Sequence, residues 1–259
     1  MEQTARFTID AQTPVICTAI HAGSFLSPEC AANMAISAEI KLREEDPFTD
    51  ILAELCSNNI IANYSRFEFD LNRKRESSFY LAPEDAWGLK VRINEPNLQH
   101  LETSYQKYDD FYLELYKHLS QLKNSYQKLF VYDIHSYNHR RNGPETAPDD
   151  QQNNPDIVLA TGNMPKTWDG LIDKLQKHFQ QYEIDGRSLD VRKNVKFEGG
   201  WFSRWLHYTF PGSICCLSIE FKKIFMDEWT GELSTDKFNV IKEALRSSFP
   251  IIEDHLAAL

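Results

Sequence analysis

What this sequence lacks narrows its chemistry first. No run of about 18 apolar residues exists, so no transmembrane helix is expected. MEQTARFTID at the N-terminus has neither the basic region nor the apolar core of a signal peptide. There is no C-x-x-C pair, and the five cysteines (Cys17, Cys30, Cys56, Cys215, Cys216) are an odd number. That fits reduced thiols in the cytoplasm better than a disulfide framework or a cysteine-rich zinc site. A basic balance is missing too: 28 Lys and Arg stand against 38 Asp and Glu, for a net charge of −10. A general nucleic-acid binder would carry a basic face, and an anionic membrane surface is no more suitable a partner. No P-loop, G-x-G-x-x-G or G-x-S-x-G is present, so nucleotide binding and a serine-elbow hydrolase lack a signal.

What is there is an ordinary globular composition, 42% apolar and 25% charged over 259 residues. That length buries a sizeable core, and one domain over 1–259 is expected. Short continuous apolar runs at 14–20, 128–136, 155–161 and 213–221 read as buried strands. Helical spacing marks 95–128, 168–182 and 234–257. A further helix is expected behind Thr49 as N-cap, over ILAELCSNNIIAN. The alternation of Phe67, Phe69 and Leu71 predicts a strand over 64–75 that runs into a basic loop. Residues 139–155 form a long polar loop, a length that is usually functional or mobile. Strands alternating with helices predict an α/β fold with a mixed, mostly parallel sheet flanked by helices. Ligands in such sheets gather at the carboxyl ends of strands.

Two histidines stand at such ends. His21 follows PVICTAI directly, and His135 closes VYDIH. Neutral imidazole is the commonest protein ligand for zinc, and a catalytic zinc typically takes three protein ligands. Asp133, two residues before His135, is placed to orient it from behind. A third ligand should be a carboxylate or another histidine, and Glu29, Asp46 and Asp50 are the acids that follow His21. Asp50 would fall in the first turn of the helix opened by Thr49, a rigid place whose dipole favours negative charge, or it is a helix-start acid with no other task. Glu220, inside the apolar run SICCLSIEF, is costly to bury without a partner. It is either a proton-transfer base or half of an ion pair with Lys222, Lys223 or an arginine. Two basic islands, Arg66 with Arg73, Lys74 and Arg75, and His139 with Arg140 and Arg141, suit capture of a small anionic substrate. Cys215 and Cys216 read as small core residues.

Several of these segments, taken in order, resemble one family. HAGS at 21–24, DPFTD at 46–50, SRFEFDLNR at 65–73, DIHS at 133–136 and IEFKKIFMDEWTGE at 219–232 are similar to the N-formylglutamate amidohydrolases. The resemblance spans about 15–232 and implies a fold like that of the zinc carboxypeptidases. It implies one Zn2+ per chain, held by His21, His135 and a carboxylate. It implies Glu220 as catalytic acid/base, Arg66 near the scissile carbonyl, and Asn72 and Arg73 at the substrate carboxylate; Arg140, from the second basic island, is expected as a further substrate contact. Zinc carboxypeptidases carry a ligand glutamate three residues after the first histidine; here that position is Ser24, so Asp50 is the expected substitute. The implied reaction is hydrolysis of a linear amide. A carboxypeptidase-like peptidase and a non-catalytic anion binder are the alternatives.

Overall fold

Two nine-residue apolar runs make the longest strands, and every one of their 18 positions but Glu220 is buried. The computed structural model describes residues 3–259. Its strands are β1 (Ala5–Thr8), β2 (Val15–Ala19), β3 (Asn59–Ala62), β4 (Leu129–Tyr137), β5 (Ile157–Ala160), a small hairpin of β6 (Glu183–Ile184) and β7 (Arg187–Ser188), β8 (Val191–Lys193) and β9 (Ile214–Lys222). The main sheet has seven strands in the order β1-β3-β2-β4-β9-β5-β8. Pairings β3–β2, β2–β4, β4–β9 and β5–β8 are parallel; β1–β3 and β9–β5 are antiparallel. This is the mixed, mostly parallel α/β sheet that the apolar runs predict.

Helices cover both faces. They are α1 (Pro28–Ala32), α2 (Ala38–Glu44), α3 (Thr49–Ala53), α4 (Leu98–Leu122), α5 (Asp169–Phe179), α6 (Trp201–Thr209), α7 (Thr235–Arg246) and α8 (Phe249–Ala257). Successive strand residues point to opposite faces, and the core divides accordingly. Phe130, Tyr132, Ile134, Leu217 and Ile219 pack with α5, α7 and α8. Val131 and Cys216 face the other way, against Phe111, Leu115 and Leu119 of α4 and Phe202 and Leu206 of α6. All five cysteines are buried and free, Cys215 and Cys216 in the two core layers.

The structure departs from the sequence expectations at three places. Residues 64–75 are not a strand. Ser65 Oγ accepts the Phe67 amide at 3.2 Å, and Asp70 Oδ1 accepts that of Asn72 at 2.7 Å. These local side-chain-to-backbone bonds satisfy the chain as turns instead of a ladder. The helix behind DPFTD stops at Ala53, and Asn59–Ala62 is a strand between β1 and β2. Sheet partners on both sides decide there what local spacing cannot. Thr49 is not the cap either: Phe48 precedes the helix with φ 69°, and Thr49 Oγ1 donates to the Asp46 carbonyl at 2.6 Å. At the C-terminus the expected single helix is two, divided where Pro250 removes a helical N–H.

Candidate active site

Parallel pairing puts the carboxyl ends of β2, β4 and β9 side by side, and the functional groups collect there. His21 lies just past β2. Gly23 lets that loop run against the 62–64 backbone, for a Cβ there would stand 2.5 Å from the Tyr64 carbonyl. His135 is on β4, and Glu220 is its register partner on β9.

His21 and His135 stack obliquely with ring centroids 4.7 Å apart. Between them comes Asp46, whose Oδ2 is 3.6 Å from His21 Nδ1 and 3.0 Å from His135 Nδ1. All three residues are buried. Burial opposes charge on Asp46, but the hydrogen bonds and charge of His135 and His21 outweigh it and hold the carboxyl well below its usual range. Behind the pair stand two more carboxylates. Asp70 Oδ1 lies 2.7 Å from His21 Nε2, so one ring nitrogen meets a carboxylate behind it and the other, Nδ1, faces Asp46. Asp133 Oδ1 lies 3.1 Å from His135 Nε2 and is itself held by Ser218 Oγ at 2.8 Å. Burial works against a charged His135 too, yet Asp133 and Asp46 raise its pKa well above the ordinary value.

This arrangement fits a metal ion. His21 Nδ1 is buried without a hydrogen-bond partner, and the ligand atoms of His21, Asp46 and His135 all lie within 4.8 Å of one another. Two imidazoles and a carboxylate, oriented by further carboxylates from behind, suit zinc. The expected carboxylate, Asp50, is elsewhere. One turn farther along, in α3, it lines a separate surface cavity with Arg6, Gly23 and Ser24. Asp46 precedes Pro47, and its amide N–H donates to the His21 carbonyl at 3.1 Å, so the loop and not the helix carries the carboxylate inward. Glu29, the other candidate, contacts Asn97 and His100 instead.

Glu220 faces the same cavity, of about 290 Å³, together with His21, Asp46 and His135. No ion pair claims it among the described residues. Lys222 pairs with Asp156 at 3.0 Å. Lys223 is spent on the Arg43 and Glu45 carbonyls at 2.6 and 2.8 Å. Burial pushes the Glu220 carboxyl up to about 7, and burial lowers the Lys223 ammonium to about 8.

The basic islands divide. Arg66 lines the cavity, donating to Tyr80 at 3.0 Å and to Asp70 at 3.2 Å, with its guanidinium 4.8 Å from the Trp87 ring. Arg73, the expected carboxylate anchor, lies outside the cavity lining. It stacks 4.6 Å from Tyr80, near Asp70 and Asp85, because the 70–73 turn directs it outward. Asn72 does line the cavity, but its Oδ1 accepts the Phe202 amide at 3.0 Å and so caps α6. Arg140 turns to Asp227 and Pro144, while its neighbour Arg141 enters the cavity and binds Glu44 at 3.1 and 3.0 Å. Lys196 is a further cavity cation that sequence reasoning missed.

The same chain matches the family profile described as N-formylglutamate amidohydrolase over residues 13–226. The chain belongs to the N-formylglutamate amidohydrolase family. Among curated proteins, none matches its sequence. Two solved structures share its fold. One is the N-formylglutamate amidohydrolase from Ralstonia eutropha JMP134, with a TM-score of 0.75, 16% identity and 99% of each chain covered. The other is a gene product of Agrobacterium tumefaciens, with a TM-score of 0.68, 16% identity and 97% of each chain covered. The amidohydrolase family agrees with a small-molecule substrate, and none of the described helices is long and apolar enough to cross a membrane.

Proposed function

We propose that this member of the family is a metal-dependent amidohydrolase that cleaves a linear amide in a small carboxylate-bearing substrate of the N-formyl-L-glutamate type. The observation that carries the reading is the convergence of His21 Nδ1, His135 Nδ1 and Asp46 Oδ2 in one cavity with an unpaired Glu220. His21, His135 and Asp46 would hold one Zn2+, and a zinc ion there supplies Lewis-acid polarisation of the amide carbonyl and acidifies the attacking water.

Asp70 holds the His21 ring by a hydrogen bond, and the Asp133 carboxylate, 3.1 Å from His135 Nε2, backs the second ring by charge. Glu220 has a proton affinity near neutrality, the range in which a carboxylate both accepts a proton and returns it. It takes the proton of the attacking water and delivers it to the departing nitrogen. Arg66, held flat by Tyr80, Asp70 and Trp87, offers N–H groups to the oxygen on which negative charge develops. Lys196, and Arg141 shared with Glu44, are the cavity cations that would meet a substrate carboxylate. The cavity, about 290 Å³, suits a single modified amino acid better than a long peptide. Localisation to the cytoplasm accords with five free thiols.

The test is formate release from N-formyl-L-glutamate beside a panel of C-terminal peptides. Turnover of the formyl compound should vanish on chelation, return with zinc, and fall by about 10²–10⁴-fold in Glu220→Gln while metal content is kept. Turnover of peptides alone would assign a peptidase. Binding of N-formyl-L-glutamate without turnover by zinc-loaded protein would assign an anion binder.

A further inference from the structure

A second cluster of ligating side chains lies away from that cavity. Cys30 sits in α1, Glu68 in the turn after β3 and His100 in the first turn of α4. Their relative exposures are 0%, 0% and 5%. One ligand atom from each lies within 4.8 Å of the others. None of the three lines the cavity that holds Glu220.

His100 Nε2 is buried with no hydrogen-bond partner, and it stands 3.8 Å from Glu68 Oε1, too far for a hydrogen bond. An imidazole nitrogen so placed needs an electrophile. Its other nitrogen, Nδ1, is 3.7 Å from Glu29 Oε2, a charge contact beyond hydrogen-bond distance. Glu68 is held in place by the Ser27 amide and hydroxyl, each at 2.8 Å, and by Ser104 Oγ at 3.3 Å. Cys30 Sγ accepts from Arg92 at 3.5 Å, an N–H···S contact that a ligating thiolate can keep. A nucleophilic cysteine is the wrong reading, because burial and the Glu68 charge push the thiol up to about 12.

We infer that Cys30, Glu68 and His100 form a second metal site, structural in character, for a borderline-soft divalent cation such as Zn2+. Thiolate with imidazole and carboxylate selects zinc over magnesium or calcium, which prefer oxygen alone. Metal binding would release the Cys30 thiol proton, which is donated to the Phe67 carbonyl at 3.6 Å; the resulting thiolate and Glu68 would carry two negative charges to match the cation, and Arg92 adds a donor at the sulfur. The bound ion ties α1, the 65–70 turn and the start of α4 together. Glu68 is two residues from both Arg66 and Asp70, so the site braces the segment that supports His21.

The test is cobalt substitution of the full chain. Cobalt-saturated wild type should show a thiolate-to-metal charge-transfer band, absent from Cys30→Ser and kept in Asp46→Asn. The first cavity holds no thiolate, so the band reads this site alone. Zinc content at saturation should be one equivalent lower in Cys30→Ser than in wild type. Absence of the band from cobalt-saturated wild type, which needs no variant to fold, overturns the inference. Equal zinc content in the two proteins does the same.

Discussion

Asp70 and Asp133 each stand behind one imidazole, and the distinction between holding a ligand and being one is made there. Asp70→Asn leaves an acceptor but removes the charge that aligns His21 Nε2–H. Zinc affinity, measured by competition with a chelator, should fall about 10–100-fold; an unchanged affinity would show that Asp70 only braces the 70–73 turn. Single residues also mark the limit of sequence reading. The two histidines and Glu220 were legible because each breaks an apolar strand at its end. Asp50 was expected over Asp46, but both flank the same short turn, where the left-handed Phe48 and the Asp46 amide bonded to the His21 carbonyl send Asp46 inward. Arg140 and Arg141 are adjacent for the same reason: local pattern places the island, and backbone direction chooses the member.

At the scale of elements, α6 links the cavity to the sheet. Gly200 precedes it, and a Cβ there would meet Asn72 Oδ1 at 2.1 Å. Gly200→Ala should therefore displace the Asn72 cap, lower stability by about 1–2 kcal/mol and raise KM, as read by chemical denaturation and steady-state kinetics. At the other end of α6, His207 Nε2 accepts the Cys216 amide at 3.0 Å and Nδ1 lies 3.1 Å from Asn163 Oδ1. Burial lowers the His207 pKa from 6.5 to about 4. A depressed folded pKa means the unfolded chain takes up the proton first. The stability from neutral His207 is whole above about pH 6.5 and is lost as pH falls toward about 4, on the order of 2–3 kcal/mol. Denaturation midpoints across that range should fall less steeply in His207→Gln than in wild type; parallel curves would contradict the assignment. Helix α6 was not named from the sequence, although Trp201 with Trp205 and Phe202 with Leu206 recur at helical spacing. The 64–75 alternation misled in the opposite sense: its aromatic residues are buried, but in turns.

For the whole molecule, four of the seven sheet strands were legible and their partners were not. Continuous apolar runs announced β2, β4, β5 and β9, yet the antiparallel insertion of β5 between β9 and β8 depends on contacts between residues far apart in sequence. On the proposed reading, folding and metal binding would be linked across the same sheet, since His135 comes from β4 and His21 and Asp46 from the two loops packed at its end. Zinc at a thousandfold excess over its Kd should add about 4 kcal/mol to unfolding free energy, and chelation should remove it, a difference that calorimetry reads directly. Arg66, Arg141 and Lys196, from three different segments, line the cavity in which an anionic amide would meet the His21, Asp46 and His135 centre.

Formate release from N-formyl-L-glutamate by zinc-loaded wild type, Asp46→Asn and Asp50→Asn tests that centre most directly. Near-complete loss of kcat in Asp46→Asn, with Asp50→Asn close to wild type, is expected. Full turnover in Asp46→Asn would contradict it.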